Sequence, residues 1–97
     1  MFLHIVLFKF RDGITSDDSR VRLAVDQMRD LPARVREIRS WTHGFNISDR
    51  PIAYDYGLVA SFDKEKDIKV YLNHPDHQVV TDLWSEFSDW KVCDIAL

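Results

Sequence analysis

The opening segment, from Phe2 to Phe10, constrains the fold more than any other part of the sequence. Its residues alternate between two faces, and both faces are apolar. One face carries Phe2, His4, Val6, Phe8 and Phe10, and the other carries Leu3, Ile5, Leu7 and Lys9. A strand with two apolar faces is typical of the middle of a sheet, where other layers cover it on both sides. The sequence therefore predicts a central β-strand at the start of the chain.

A helix is predicted after this strand. The turn at 11–13 (Arg-Asp-Gly) ends the strand, and Thr15 or Ser16 is placed to cap the helix, with Asp17 and Asp18 in its first turn. Pro32 ends or bends the helix. Its apolar positions recur at helical spacing and predict a core-facing stripe: Val21, Ala24, Val25, Met28 and Leu31.

Three more strands are predicted, at about 38–47, 54–62 and 90–95. A second helical region follows the third strand and is broken at Pro75, because the residue before a proline avoids helical dihedrals. The order β-α-β-β-α-β in about a hundred residues predicts an α+β, ferredoxin-like plait. We expect one domain over residues 1–97, with a four-stranded antiparallel sheet and both helical regions on one face.

The opposite face of that sheet has no cover within the chain, because both helical regions are already used. Its strands are nevertheless apolar, so a second copy of the chain is the simplest cover. The sequence therefore predicts a homodimer in which two sheets pack face to face or close into a barrel.

Composition excludes several classes of protein. The net charge of −3, with scattered basic residues, gives no surface for nucleic acid. No apolar run approaches the ~20 residues of a membrane span, and no signal peptide is visible, so we expect a cytoplasmic protein. Cys93 is the single cysteine, so it forms no disulfide within the chain and no cysteine-based zinc site. Its apolar neighbours predict a buried position.

The segment from Tyr71 to His77 is the strongest candidate for a functional site. Pro75 marks a helix start, so His74 falls near the cap and His77 in the first turn, where the helix end is positive. A histidine there favours its neutral form, which suits a hydrogen-bond acceptor or a general base. The alternative is that His74 caps the helix and His77 only packs beside it.

Five segments of the chain, in order along its length, carry a family resemblance. They are His4–Phe10, Trp41–Asn46, the segment from Ala53 to Phe62, Tyr71–His77, and Val92–Ile95. Together they resemble the stress-responsive A/B barrel domain, also called the Dabb or dimeric α/β-barrel family. The resemblance implies a ferredoxin-like protomer, a homodimeric barrel, and a cavity between sheet and helices in each subunit.

The resemblance also implies roles for individual residues. In an enzyme relative, a plant polyketide cyclase, the positions that match His4, Tyr71 and His77 act in the pocket. This chain departs from that pattern, with Tyr56 in place of a histidine and Asp26 in place of a tyrosine. We predict His77, His4 and Tyr71 as candidate catalytic residues: His77 as a base, Tyr71 as a donor and His4 as an orienting group. Candidate ligand-binding residues are Tyr56, which could also serve as the donor, together with Val6, Phe8 and Leu58.

No metal and no cofactor are predicted. His74 and His77 lack the i, i+4 spacing of helical zinc pairs, and there is no glycine-rich phosphate loop. Three functions remain open: binding of a small apolar or aromatic molecule, a cofactor-free enzyme resembling a cyclase or monooxygenase that uses His77 and His4, and a stress-related structural or interaction protein without an active pocket. A pocket filled by Trp41, Phe8 or Trp84 would favour the last.

Overall fold

The computed structural model describes all 97 residues and contains four strands and four helices. In chain order they are β1 (Phe2–Phe10), α1 (Ser19–Arg29), α2 (Leu31–Arg34), β2 (Ser40–Phe45), β3 (Tyr56–Phe62), α3 (Glu65–Leu72), α4 (Pro75–Ser85) and β4 (Ser88–Ala96). The strands form one antiparallel sheet in the order β2-β3-β1-β4, so β1 is central. The predicted ferredoxin-like fold is confirmed.

The start of α1 differs from the sequence prediction. Asp18, in an extended conformation, is the N-cap, and its carboxylate accepts a hydrogen bond from the backbone N–H of Arg20 at 2.9 Å. Thr15 and Ser16 lie before the helix, so the prediction that one of them caps it is wrong. A carboxylate oxygen satisfies an unpaired N–H of the first turn as well as a hydroxyl does. Where several residues that can cap a helix follow one another, the backbone conformation determines which of them is the N-cap.

The break in the second helical region is where the sequence predicts it. α3 ends at Leu72 and α4 begins at Pro75. His74 is the N-cap of α4, and its Nδ1 accepts the backbone N–H of Asp76 at 3.1 Å. This geometry turns the chain so that the first turn of α4 lies over the sheet, next to the end of α3.

The helices pack on one face of the sheet and enclose the core. Its largest fully buried side chains are Trp84, Tyr71, Phe62, Phe87, Met28 and Leu31. We call this side of the sheet the helix face and the opposite side the outer face. No helix of the structure is long and apolar enough to span a bilayer.

The outer face is open in the single chain and largely apolar. Leu7, Val59 and Ile95 lie there with 46%, 39% and 40% of their surfaces exposed. Cys93 pairs with Ile5 on the same face and is also exposed, so the prediction that it is buried is wrong for the isolated chain. The alternation along β4 directs Cys93 away from the helices, although its neighbours in sequence are apolar.

Candidate functional site

A small cavity of about 70 Å³ lies between the helix face of the sheet and the helices. Ten of its thirteen lining residues are hydrophobic. Six predicted site residues line it: His4, Val6, Phe8, Leu58, Tyr71 and His77. Strand alternation brings together His4, Val6 and Phe8, while α3 and α4 supply Tyr71 and His77. The sheet and the two helices therefore converge on one mostly apolar space.

His4 lies in the middle of the sheet and is only 2% exposed. It pairs with Asp94 of β4, and the Nδ1 of His4 is 2.6 Å from Oδ1 of Asp94. A carboxylate accepts hydrogen bonds, so Nδ1 of His4 carries a hydrogen atom and donates the hydrogen bond to Asp94. The Nε2 of His4 makes no hydrogen bond to another protein atom.

His77 is oriented by the backbone at the end of α3. Its Nδ1 is 3.1 Å from the carbonyl oxygen of Leu72, which accepts only, so Nδ1 is the protonated nitrogen. Burial lowers the pKa of His77, an effect that the hydrogen bond to Leu72 partly offsets and that the nearby His4 and His74 reinforce. The neutral ring therefore keeps an unprotonated Nε2, which has no protein partner and is available as an acceptor or a base.

Tyr71 lies between the two histidines. Its ring centroid is 5.6 Å from that of His4 and 4.3 Å from that of His77. Burial raises the pKa of Tyr71, so its hydroxyl stays protonated at neutral pH. That hydroxyl makes no hydrogen bond within the chain, although the residue is only 2% exposed. The Tyr71 hydroxyl is thus a third polar group near the cavity without a protein partner.

Tyr56, also predicted as a ligand-binding residue, is not part of the cavity lining. Its hydroxyl is 2.6 Å from Nδ1 of His43, and its ring packs 5.1 Å from that of Trp84. Burial raises the pKa of Tyr56 and lowers that of His43, so the tyrosine donates and the imidazole accepts. Tyr56 pairs with Phe8, whereas His4 pairs with Ala60, which places Tyr56 four residues along the sheet from His4. The expectation that Tyr56 lines the same cavity as His77 is therefore wrong, and ligand binding by Tyr56 stays a prediction.

Asp94 is a candidate site residue that the sequence analysis does not single out. In the sequence it stands within the Val92–Ile95 segment of the family resemblance, with no sign that it pairs with His4. The signal for it is register: antiparallel pairing of the first and last strands brings a carboxylate opposite a buried histidine. Asp94 is 45% exposed, and its carboxylate accepts a hydrogen bond from the buried imidazole. A carboxylate at one ring nitrogen commonly orients a histidine side chain.

The cavity is not filled by the aromatic residues around it, but they narrow it. Phe8 and Trp84 stack with their centroids 4.1 Å apart and form one wall. Trp90 and Val92 of β4 line the side that no helix covers, and Val92 is half exposed. Access to His4 and His77 is therefore from the β4 edge of the sheet.

A larger groove of about 720 Å³ lies at the other end of the molecule, beside α1. Its charged side chains are on the surface: Arg29 is 60% exposed and pairs with Asp26 at 2.7 Å. It contains none of the four histidines. No group of three or more His, Cys, Asp or Glu side chains anywhere in the chain is arranged to hold a metal ion. The cavity at His4 and His77 is therefore the candidate site.

Comparison with known proteins places the chain in a family. The model of the stress responsive A/B barrel domain matches residues 2–97. An uncharacterised Streptomyces coelicolor protein is 43% identical over 94 residues, which cover 97% of each chain.

Two solved structures are close matches. A dimeric ferredoxin-like protein of unknown function from Thermobifida fusca has a TM-score of 0.85 and 28% identity, over 99% of this chain and 90% of its own. A dimeric protein of unknown function with a ferredoxin-like fold from Bacteroides fragilis has a TM-score of 0.82 and 26% identity, over 99% and 95%. Because the family model matches residues 2–97, almost the whole of this chain, the chain belongs to the stress responsive A/B barrel domain family.

Proposed function

We propose that the chain forms a homodimer and that each subunit binds the polar end of a small, otherwise apolar molecule between its sheet and helices. One observation carries the proposal. Three buried side chains at an apolar cavity, His4, Tyr71 and His77, each retain a polar atom without a protein partner. A few polar groups that converge on an otherwise apolar cavity are typical of a ligand-binding site.

The hydrogen-bonding character of these atoms indicates the kind of occupant. With Nδ1 donating to Leu72, neutral His77 offers an acceptor at Nε2, and the Tyr71 hydroxyl offers a donor. A hydroxyl group on the ligand satisfies both, because it donates to the imidazole and accepts from the tyrosine. An alcohol or a phenol therefore matches the site better than a charged group, which the apolar lining would leave unpaired.

The size of the cavity indicates how the occupant sits. A volume of about 70 Å³ is well below the ~300–1,000 Å³ of sites that enclose a whole drug-sized ligand. It accommodates a few heavy atoms. We propose that the polar end enters towards His77 and that the remainder rests at the β4 edge, against Trp90 and Val92.

The homodimer is supported by the outer face of the sheet. Leu7, Val59 and Ile95 are exposed there, and no part of the same chain covers them. The Thermobifida fusca relative, which is described as dimeric, has the same fold at 28% identity. We propose that two outer faces pack together, which would bury Cys93 as well. Sedimentation at micromolar concentration should give twice 11.4 kDa, and a monomer would contradict the proposal.

Phenol is a suitable probe for the cavity, because its hydroxyl matches His77 and Tyr71. We expect phenol to perturb the NMR signals of His4, Tyr71, His77 and Thr81 in a saturable manner. His77→Leu should weaken this binding at least tenfold, because the apolar side chain removes the acceptor. His43→Asn is the matched control, since His43 bonds to Tyr56 outside the cavity lining. Equal binding by wild type and His77→Leu would contradict the proposal.

A second candidate is cofactor-free proton transfer next to a carbonyl, which a specific arrangement favours. His77 has an unprotonated Nε2, Tyr71 is a protonated donor, and Asp94 orients His4. A base that removes a proton and a donor that stabilises the enolate are what such chemistry needs.

Acetone has four heavy atoms and tests this second candidate directly. Wild-type protein in D₂O should exchange the methyl protons of acetone for deuterium faster than buffer alone, and His77→Ala should abolish the acceleration while leaving the dimer intact. Exchange that is equal in wild type and His77→Ala would leave ligand binding as the function.

A further inference from the structure

Two glycines lie opposite each other on the outer face of the sheet. Gly44 of β2 pairs with Gly57 of β3, and Gly57 pairs on its other side with Leu7 of β1. The next row along the same face, Thr42, Val59 and Ile5, carries side chains at all three positions. The outer face is therefore apolar but contains one position where two adjacent strands carry no side chain.

Nothing within the chain requires glycine at either position. Gly13 is the only residue with a positive φ, so neither Gly44 nor Gly57 needs glycine for its backbone conformation. A Cβ on Gly44 would meet no atom within 4 Å, and a Cβ on Gly57 would meet only Cδ2 of Leu7 at 3.9 Å, an ordinary contact. Glycine in a strand interior is unfavourable and commonly marks the close approach of another group.

The two glycines lie at a surface hollow of about 340 Å³. Besides the two glycines, its lining residues are Leu7, Phe45, Asn46, Ile47, Tyr54 and Tyr56, and none of them is charged. Ile47, at its rim, is fully exposed. A hollow whose lining is mostly apolar and carries no charge suits an apolar side chain from outside the chain.

We infer that this hollow receives an apolar side chain of a second copy of the chain and so fixes how the two sheets pack. The inference rests on the homodimer proposed above. The hollow shares Leu7 with the exposed apolar outer face that the proposed dimer covers, and two relatives with this fold are dimeric, which favours a second copy as the occupant. In a two-fold dimer the same surface is used twice, so each subunit would offer one hollow and fill the other.

Filling the hollow tests the inference, because the single chain has room for the added atoms. Gly57→Leu and Gly44→Val should each fold, as judged by circular dichroism, but raise the dimer dissociation constant at least tenfold. Gly57→Ala, with a smaller side chain, should have a weaker effect. Lys66→Leu, which adds an apolar residue at an exposed position of α3, is the matched control and should dimerise like wild type.

The outcomes separate the hollow from the dimer itself. A monomeric wild type would contradict the dimer and, with it, the role of the hollow. A dimeric wild type whose dissociation constant is unchanged by both Gly57→Leu and Gly44→Val would leave the dimer in place and overturn the role of the hollow. If one glycine variant fails to fold, the other decides the question alone.

Discussion

The Nδ1 of His4 lies 2.6 Å from Oδ1 of Asp94, which joins a buried ring on the central strand to a carboxylate on the edge strand. His77 is held in the same way at Nδ1, but by the carbonyl of Leu72. Both histidines therefore have Nδ1 engaged and Nε2 without a protein partner. Two elements of the fold, the β1–β4 register and the break between α3 and α4, independently give Nδ1 of each ring a hydrogen-bond acceptor.

Asp94→Ala should release the ring of His4. We expect the His4 Nδ1–H signal in ¹⁵N spectra to exchange faster with water, and phenol binding to weaken several-fold, because the ring is no longer fixed. The fold should be retained, since Asp94 is 45% exposed and contributes little packing. A variant that keeps both the His4 signal and the phenol affinity would show that Asp94 does not orient the ring.

Tyr71→Phe should affect ligand binding and not stability. The hydroxyl of Tyr71 has no hydrogen bond within the chain, so its removal should change the free energy of unfolding by less than about 0.5 kcal/mol. Phenol affinity and any acetone exchange should both fall, because the donor is lost. Chemical denaturation and NMR titration measure the two effects separately. A large loss of stability would indicate that the hydroxyl has a structural role.

Tyr56→Phe is the complementary variant and should behave in the opposite way. It removes the hydrogen bond to Nδ1 of His43, which should lower the free energy of unfolding by about 1 kcal/mol. Phenol binding should be unchanged, because Tyr56 is not part of the cavity lining. If Tyr56→Phe weakened phenol binding as much as Tyr71→Phe, the assignment of the cavity would be incorrect.

Stability should fall in mild acid, and His77 should account for part of the fall. Burial lowers the pKa of His77 in the folded chain below the ~6.5 of an unfolded one, so the unfolded state takes up its proton first as the pH falls. The contribution of neutral His77 to the free energy of unfolding is therefore fully present above about pH 6.5. It is lost as the pH falls from there through the lower pKa of His77 in the folded chain.

Denaturation at fixed protein concentration, compared between about pH 8 and about pH 5, measures this dependence. His77→Gln should reduce the difference in unfolding free energy between the two conditions. His43→Asn should also reduce it, because burial lowers the pKa of His43 as well. A difference that is unchanged in His77→Gln would show that His77 is not buried as a neutral base.

Most of the fold could be predicted from local patterns. Alternation from Phe2 to Phe10 predicts a central strand, and Pro75 predicts the break that places His77 in a first turn. Both are properties of neighbouring residues, which the sequence displays directly. The start of α1 is less predictable, because Thr15, Ser16 and Asp18 can all cap a helix. The backbone conformation, which the sequence does not show, makes Asp18 the N-cap.

The candidate site was predictable only in part, because it depends on register between distant segments. Alternation indicates that His4 and Tyr56 can share a face, but not that they are four residues apart along it, about 13 Å at the usual rise of a strand. The pairing of His4 with Asp94 joins residues ninety positions apart. Local patterns carry no information on such a contact, so they neither exclude Tyr56 from the cavity nor indicate Asp94 as a partner of His4.

The ring nitrogens of His77 provide the most direct test of the central claim, which is that this buried residue presents a free acceptor to a ligand. In ¹⁵N NMR spectra at neutral pH we predict a protonated Nδ1 and an unprotonated Nε2. Addition of phenol should then shift the Nε2 signal towards that of a hydrogen-bonded nitrogen and leave Nδ1 unchanged. A protonated Nε2 in the free protein, or an Nε2 signal that phenol does not move, would contradict the account.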